Sequence, residues 1–140
     1  MRIKSLTELK QKKPRIRREE PEHIKLVSWF KNEYPSVPIH HSPNGEARDS
    51  NKIKAMLRGK RLKAMGVYPG FWDLFLPTWF TFIEVKPIKG YLSKDQKLFR
   101  DLVQPSGYAF LVANGFEDGK EKILQLVKDG IPCCLAPSKL

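Results

Sequence analysis

A chain of 140 residues with 41% hydrophobic residues can bury about two-thirds of its unfolded surface, which argues against global disorder and for one domain. No apolar run approaches the roughly 18 residues of a membrane helix, and Lys and Arg recur through the first residues, against a secretory leader and for a cytoplasmic protein. The net charge of +11 predicts an anionic partner, either nucleic acid or an acidic membrane surface.

In chain order, residues 1–18 read as a basic arm: Arg2, Lys4, Lys10, Lys12, Lys13, Arg15, Arg17 and Arg18 stand against a single acid, Glu8. Glu20-Pro21 starts a helix, with proline at its first position and Ile24, Val27 and Phe30 at helical spacing; Tyr34-Pro35 ends it. Pro38 to Gly45 reads as a short extended piece with a Pro43-Asn44-Gly45 turn. His40 and His41 are adjacent and share no helix or strand face, and are read as loop residues, with a catalytic role the minor alternative.

A second helix is expected from Ser50 to Met65, with Ile53, Leu57 and Ala64 as a thin apolar stripe and Gly66 at its C-terminal cap. The basic block Arg48, Lys52, Lys54, Arg58, Lys60, Arg61 and Lys63 faces only Asp49, and is read as a surface for backbone phosphates. A membrane-surface role fits less well, because Trp and Phe anchors are missing from the apolar stripe.

Phe71–Leu76 and Phe80–Val85 are expected as antiparallel strands of a hairpin across Pro77-Thr78-Trp79. Ser93–Val103 reads as a third helix, Tyr108–Val112 as a further strand and Lys120–Lys128 as a final helix. Trp72 and Trp79 are assigned to packing. Interleaved helices and strands apolar on both faces imply an α/β fold, with a sheet covered on both sides. Cys133 and Cys134 are adjacent, which suits neither a mutual disulfide nor a zinc site, so both are read as reduced thiols. No Walker loop, G-x-S-x-G elbow or H-E-x-x-H helix is present.

The hairpin carries the chemistry. A turn between Thr78 and Trp79 opposes residues whose numbers sum to 157: Phe82 with Phe75, and Glu84 with Asp73. Lys86 then falls on the same face as Glu84. Opposed residues have Cβ atoms about 4.5–5.5 Å apart, and two carboxylates at that separation destabilise the pair unless something offsets them. A divalent cation that prefers oxygen, Mg²⁺ or Mn²⁺, would do so, and would polarise a phosphate and acidify a bound water. Lys86 would position that water or screen charge on the phosphate. A structural acid–lysine pair at a strand end is the bland alternative.

Gly70-Phe71-Trp72-Asp73-Leu74, then Phe82-Ile83-Glu84-Val85-Lys86, then Gly90-Tyr91-Leu92-Ser93-Lys94-Asp95-Gln96, resemble the VRR-NUC family of PD-(D/E)XK nucleases. The similarity spans roughly residues 20–112, and the Glu20 helix and the Pro43-Asn44-Gly45 loop also fit the family's order. It implies a restriction-endonuclease-like core, a mixed β-sheet flanked by α-helices, over residues 19–140. Asp73 and Glu84 would be metal ligands, joined by the carbonyl of Val85, with Lys86 as catalytic lysine and Mg²⁺ or Mn²⁺ as cofactor. Gln96 matches the family's helix glutamine, though Ser93-x-x-Gln96 is equally a capping box, and both roles are compatible. Glu20, or Glu22 in its place, would supply the first-helix acid, with His23 standing where members often carry glutamine. Short stand-alone members imply a homodimer that cuts branched DNA such as four-way junctions, in a bacterial cell or virus-infected host. A nucleic-acid-binding module without chemistry, or RNA as target, are the readings left open.

Overall fold

The computed structural model describes residues 19–43 and 51–132. The expected basic arm, the Asn44-Gly45 turn, Arg48 and the Cys133-Cys134 pair lie outside them. The order is α1 (Glu19–Glu33), β1 (His40–His41), α2 (Lys52–Ala64), β2 (Leu74–Leu76), β3 (Thr81–Lys86), α3 (Lys94–Val103), β4 (Ala109–Asn114) and α4 (Phe116–Asp129). The strands form a mixed sheet in the order β1-β2-β3-β4, antiparallel except for the parallel pair β3–β4, which α3 connects.

Side chains alternate across β2 and β3, and each face buries a different set. On one face Leu74, Leu76, Ile83, Val85 and Ala113 pack against Leu26 and Phe30 of α1 and Ile123 of α4. The other face is aromatic: Phe75 stacks on Phe82 at 4.5 Å, Phe82 on Phe110 at 5.1 Å, and Phe99 of α3 meets Phe82 edge-on at 5.2 Å. Such pairs contribute about 0.5–1.5 kcal/mol each beyond burial. A one-residue slip of β2 against β3 would send Phe75 to the wrong face, so the ladder specifies the register.

That register is the expected one. Leu74, Phe75 and Leu76 pair with Ile83, Phe82 and Thr81. The link is longer than a two-residue turn: Pro77–Trp79 form a 3-10 turn and Phe80 adopts a left-handed conformation, φ 49° and ψ 46°. Trp79 fills the link's inner side against Phe30 and Tyr34, at 5.2 and 4.9 Å.

Four expectations need correction. Ile24 is 60% exposed while Leu26 is fully buried. At 100° per residue, Ile24 sits about 120° round the helix from Phe30, and Leu26 only about 40°. No residue of α2 is buried, so Ile53, Leu57 and Ala64 form no core stripe, although Asn51 caps the helix, accepting from the Ile53 and Lys54 amides. His40 and His41 form a strand, not a loop, paired with Phe75 and Leu74. Finally, α4 begins at Phe116 rather than Lys120: the Glu22 carboxylate of α1 accepts the Phe116 amide at 2.9 Å, and Asp118 accepts the Asn114 amide at 2.9 Å. Both acids sit where a helix N-terminus favours negative charge.

Candidate active site

Continuing the register by one pair brings Asp73 opposite Glu84, on the aromatic face and at its open end. The backbone amide of Asp73 donates to Glu84 Oε2 at 3.0 Å, and the amide of Val85 donates to Asp73 Oδ2 at 3.2 Å. Each carboxylate is thus held by main chain on the opposing strand. Lys86 Nζ lies 3.4 Å from Glu84 Oε1, and the Gln96 side-chain amide donates to the same oxygen at 2.6 Å.

Glu84 is only 3% exposed. Burial pushes its carboxyl up to about 7, and the charge of Asp73 pushes the same way. The Asp73 amide and Lys86 pull down without offsetting them. Glu84 therefore holds its proton more readily than an exposed carboxyl does, in a place where water does not solvate the charge.

The surroundings explain several sequence features. Gln96 serves both of its expected roles: its Oε1 accepts from the Ser93 amide at 2.8 Å while its Nε2 holds Glu84. The Ser93 hydroxyl oxygen accepts from the Gln96 backbone amide at 3.2 Å, completing the capping box. The indole of Trp72 donates to the Gln96 carbonyl at 3.1 Å, from a fully buried position. Gly70, at φ +76°, lies directly under the same helix start: a Cβ there would fall 2.3 Å from the backbone of Asp95. A Cβ at Gly90 would fall 2.7 Å from the Pro87 ring and 3.0 Å from Lys86 Cβ. Gly70 thus lets main chain approach the start of α3 closely, and Gly90 lets it approach Pro87 and Lys86.

A solved structure described as a VRR_NUC domain protein is similar to this chain, with a TM-score of 0.60 and 24% sequence identity, over 80% of this chain and 89% of that one. This chain has the VRR-NUC fold. No family profile matches the sequence, and no curated protein matches it.

Of the expected site residues of this VRR-NUC fold, Asp73, Glu84, Lys86 and Gln96 come together within hydrogen-bond or ion-pair contact. Val85 adjoins them and contacts Asp73 through its amide. Glu20 does not join: it is exposed on α1, and among the described residues no three His, Cys, Asp or Glu side chains gather as a metal-holding group. Glu22 is engaged at the start of α4. Lys52, Lys54, Arg58, Lys60, Arg61 and Lys63 line exposed α2.

Sequence reasoning missed β1. Its His41 ring contacts the Asp73 carbonyl through Nδ1 at 3.1 Å, and the Ser42 amide donates to that carbonyl at 2.8 Å. The ring of His23 meets that of His41 edge-on at 4.7 Å. These contacts fix the main chain of Asp73, so that its carboxylate projects from a braced position.

Two carboxylates with few other donors suit a hard divalent ion that keeps several waters and takes part of its shell from a phosphate. Burial, and after it the charge of Asp73, raise the carboxyl of Glu84, so a cation beside the pair would favour its charged form. The Asp73 and Glu84 carboxylates, held on facing main chain, fit a divalent ion such as Mg²⁺ or Mn²⁺.

Proposed function

We propose that this chain is a divalent-metal-dependent nuclease that hydrolyses phosphodiester bonds in DNA. The observation that carries the proposal is the Asp73–Glu84 pair, with Glu84 buried and Lys86 and Gln96 in contact with it, in a chain of net charge +11. When bound, Mg²⁺ or Mn²⁺ would polarise the scissile phosphate and lower the pKa of an attacking water. Lys86, with 17% of its side chain exposed, reaches the open side of the pair, where its ammonium orients that water and balances charge building on the phosphate. Gln96 holds Glu84 Oε1 in place from a helix start that the capping box makes rigid.

The exposed cations of α2 bind backbone phosphates, giving affinity that falls with salt and carries little sequence information. Branched DNA is the preferred substrate in this reading. A symmetric four-way junction requires two cuts, and a two-fold dimer supplies paired sites for them.

The test is incubation of the chain with four-way, flapped and linear DNA, in Mg²⁺ or Mn²⁺ and in EDTA. Metal-dependent cleavage that disappears in Glu84→Ala, with DNA binding retained, supports the proposal. DNA binding without metal-dependent turnover would leave a nucleic-acid-binding module of the same fold. Faster cleavage of RNA than of DNA in side-by-side competition would reassign the substrate.

A further inference from the structure

The turn that follows Lys86 presents large apolar side chains to solvent directly beside the candidate site. Ile88 is 81% exposed and Tyr91 85%, the highest values of any large hydrophobic residue among those described. Nonetheless the turn is braced. The Gly90 amide donates to the Pro87 carbonyl at 2.8 Å, and the Asn114 side-chain amide donates to the carbonyls of Pro87 and Gly90 at 2.9 and 3.3 Å. Ordered backbone carrying exposed apolar groups suggests a ligand that covers them.

Beside the turn lies a cavity of about 460 Å³, lined by Ile88, Lys89, Tyr91, Leu92, Lys97 and Asn114 among others. Cavities of about 300–1,000 Å³ are the size that holds a small ligand. This one adjoins the site along the chain at two points, because Ile88 follows Lys86 by two residues and Lys97 follows Gln96 directly. Its lining pairs an aromatic ring and aliphatic groups with two ammonium groups, which match a nucleobase and its phosphate. Inside a duplex the faces of a base are covered by its neighbours, so only an unstacked nucleotide has a face to offer.

We infer that this cavity receives one unpaired nucleotide flanking the scissile phosphate, with Tyr91 as its stacking platform, Ile88 beside it, and Lys89 and Lys97 on its phosphate. The inference rests on the nuclease reading and gives it a substrate class: DNA with unpaired nucleotides at the cut, as at a branch, flap or frayed end. Selectivity then arises because duplex DNA has to unstack a base before it fills the cavity.

The test uses the full chain in EDTA, so that no turnover is needed. Splayed-arm DNA carrying 2-aminopurine at successive arm positions is titrated with wild type, Tyr91→Ala and Tyr91→Phe. Wild type and Tyr91→Phe are expected to change the fluorescence at one arm position. Tyr91→Ala is expected to lose that signal and to bind splayed DNA about 5- to 100-fold more weakly, the range for one stacked base, with a smaller effect on duplex. Equal affinity and an equal signal in Tyr91→Ala would overturn the inference. So would a Tyr91→Ala chain whose monomer–dimer equilibrium shifts in sedimentation while its splayed-DNA affinity does not, since the turn would then be a contact between copies. A chain that shows the stacking signal but never cuts with Mg²⁺ or Mn²⁺ supports the cavity assignment and counts against the nuclease reading alone.

Discussion

Replacing Asp73 with asparagine separates the electrostatic account from a purely structural one. The carboxyl of Glu84 sits at about 7 against an ordinary 4.5. By linkage that gap corresponds to about 3 kcal/mol. Between pH 4.5 and 7 the unfolded chain has released this proton and the folded metal-free chain retains it. Stability therefore falls as pH rises through that window, and the loss is complete above it. Burial is the larger cause and Asp73 the second, so removing the Asp73 charge recovers part of that gap, on the order of 1 kcal/mol. Asparagine keeps an oxygen to accept the Val85 amide, so the fold is retained. In EDTA at pH 8, Asp73→Asn should be the more stable chain by about 1 kcal/mol, roughly 0.5 M in urea midpoint. At pH 5, with Glu84 protonated in both, the difference should nearly vanish. Added Mn²⁺ should reverse the order, because only the wild type gains binding energy, about 2.7 kcal/mol at a hundred times the Kd. Urea unfolding at both pH values, with and without Mn²⁺, measures all three. An Asp73→Asn chain weaker than wild type in EDTA at pH 8, or stabilised equally by metal, would refute the reasoning.

Gln96→Ala removes half of the capping box as well as a donor to Glu84. It should lower stability by about 1 kcal/mol and metal affinity or cleavage about 10- to 100-fold, measured by denaturation and by cleavage against Mn²⁺ concentration. Gly70→Ala forces a Cβ into the backbone of Asp95 at a positive φ, so it should destabilise by about 2 kcal/mol or more and speed amide exchange at the start of α3. Replacing Lys60, Arg61 and Lys63 together with alanine should weaken all DNA alike. It should also flatten the slope of log K against log salt by about 0.9 for each phosphate that is no longer neutralised, read from binding isotherms over a salt series.

Much of this site was legible because one geometric rule carries it. Strand alternation and the pairing of Phe75 with Phe82 are enough to oppose Asp73 and Glu84 and align Lys86. What escaped depends on distant partners. The start of α4 is only partly local: Asp118 accepts the Asn114 amide nearby, but the carboxylate that takes the Phe116 amide, Glu22, comes from 94 positions away. β1 is two residues long, too short to show a period, and is defined by its pairing with Leu74 and Phe75. A run at 24, 27 and 30 drifts round α1, which turns Ile24 to solvent, whereas the core takes Leu26. The two compatible roles that the sequence assigns to Gln96 both hold, because one amide has two ends and each serves one role.

The measurement closest to the centre of the account is the anomalous scattering of Mn²⁺ soaked into crystals of the full chain at pH 8. A peak bridging the Asp73 and Glu84 carboxylates, at about 2.0–2.2 Å from their oxygens and absent in Glu84→Ala, is the predicted result. Ordered side chains with no peak between them, or a peak that persists in Glu84→Ala, would contradict it.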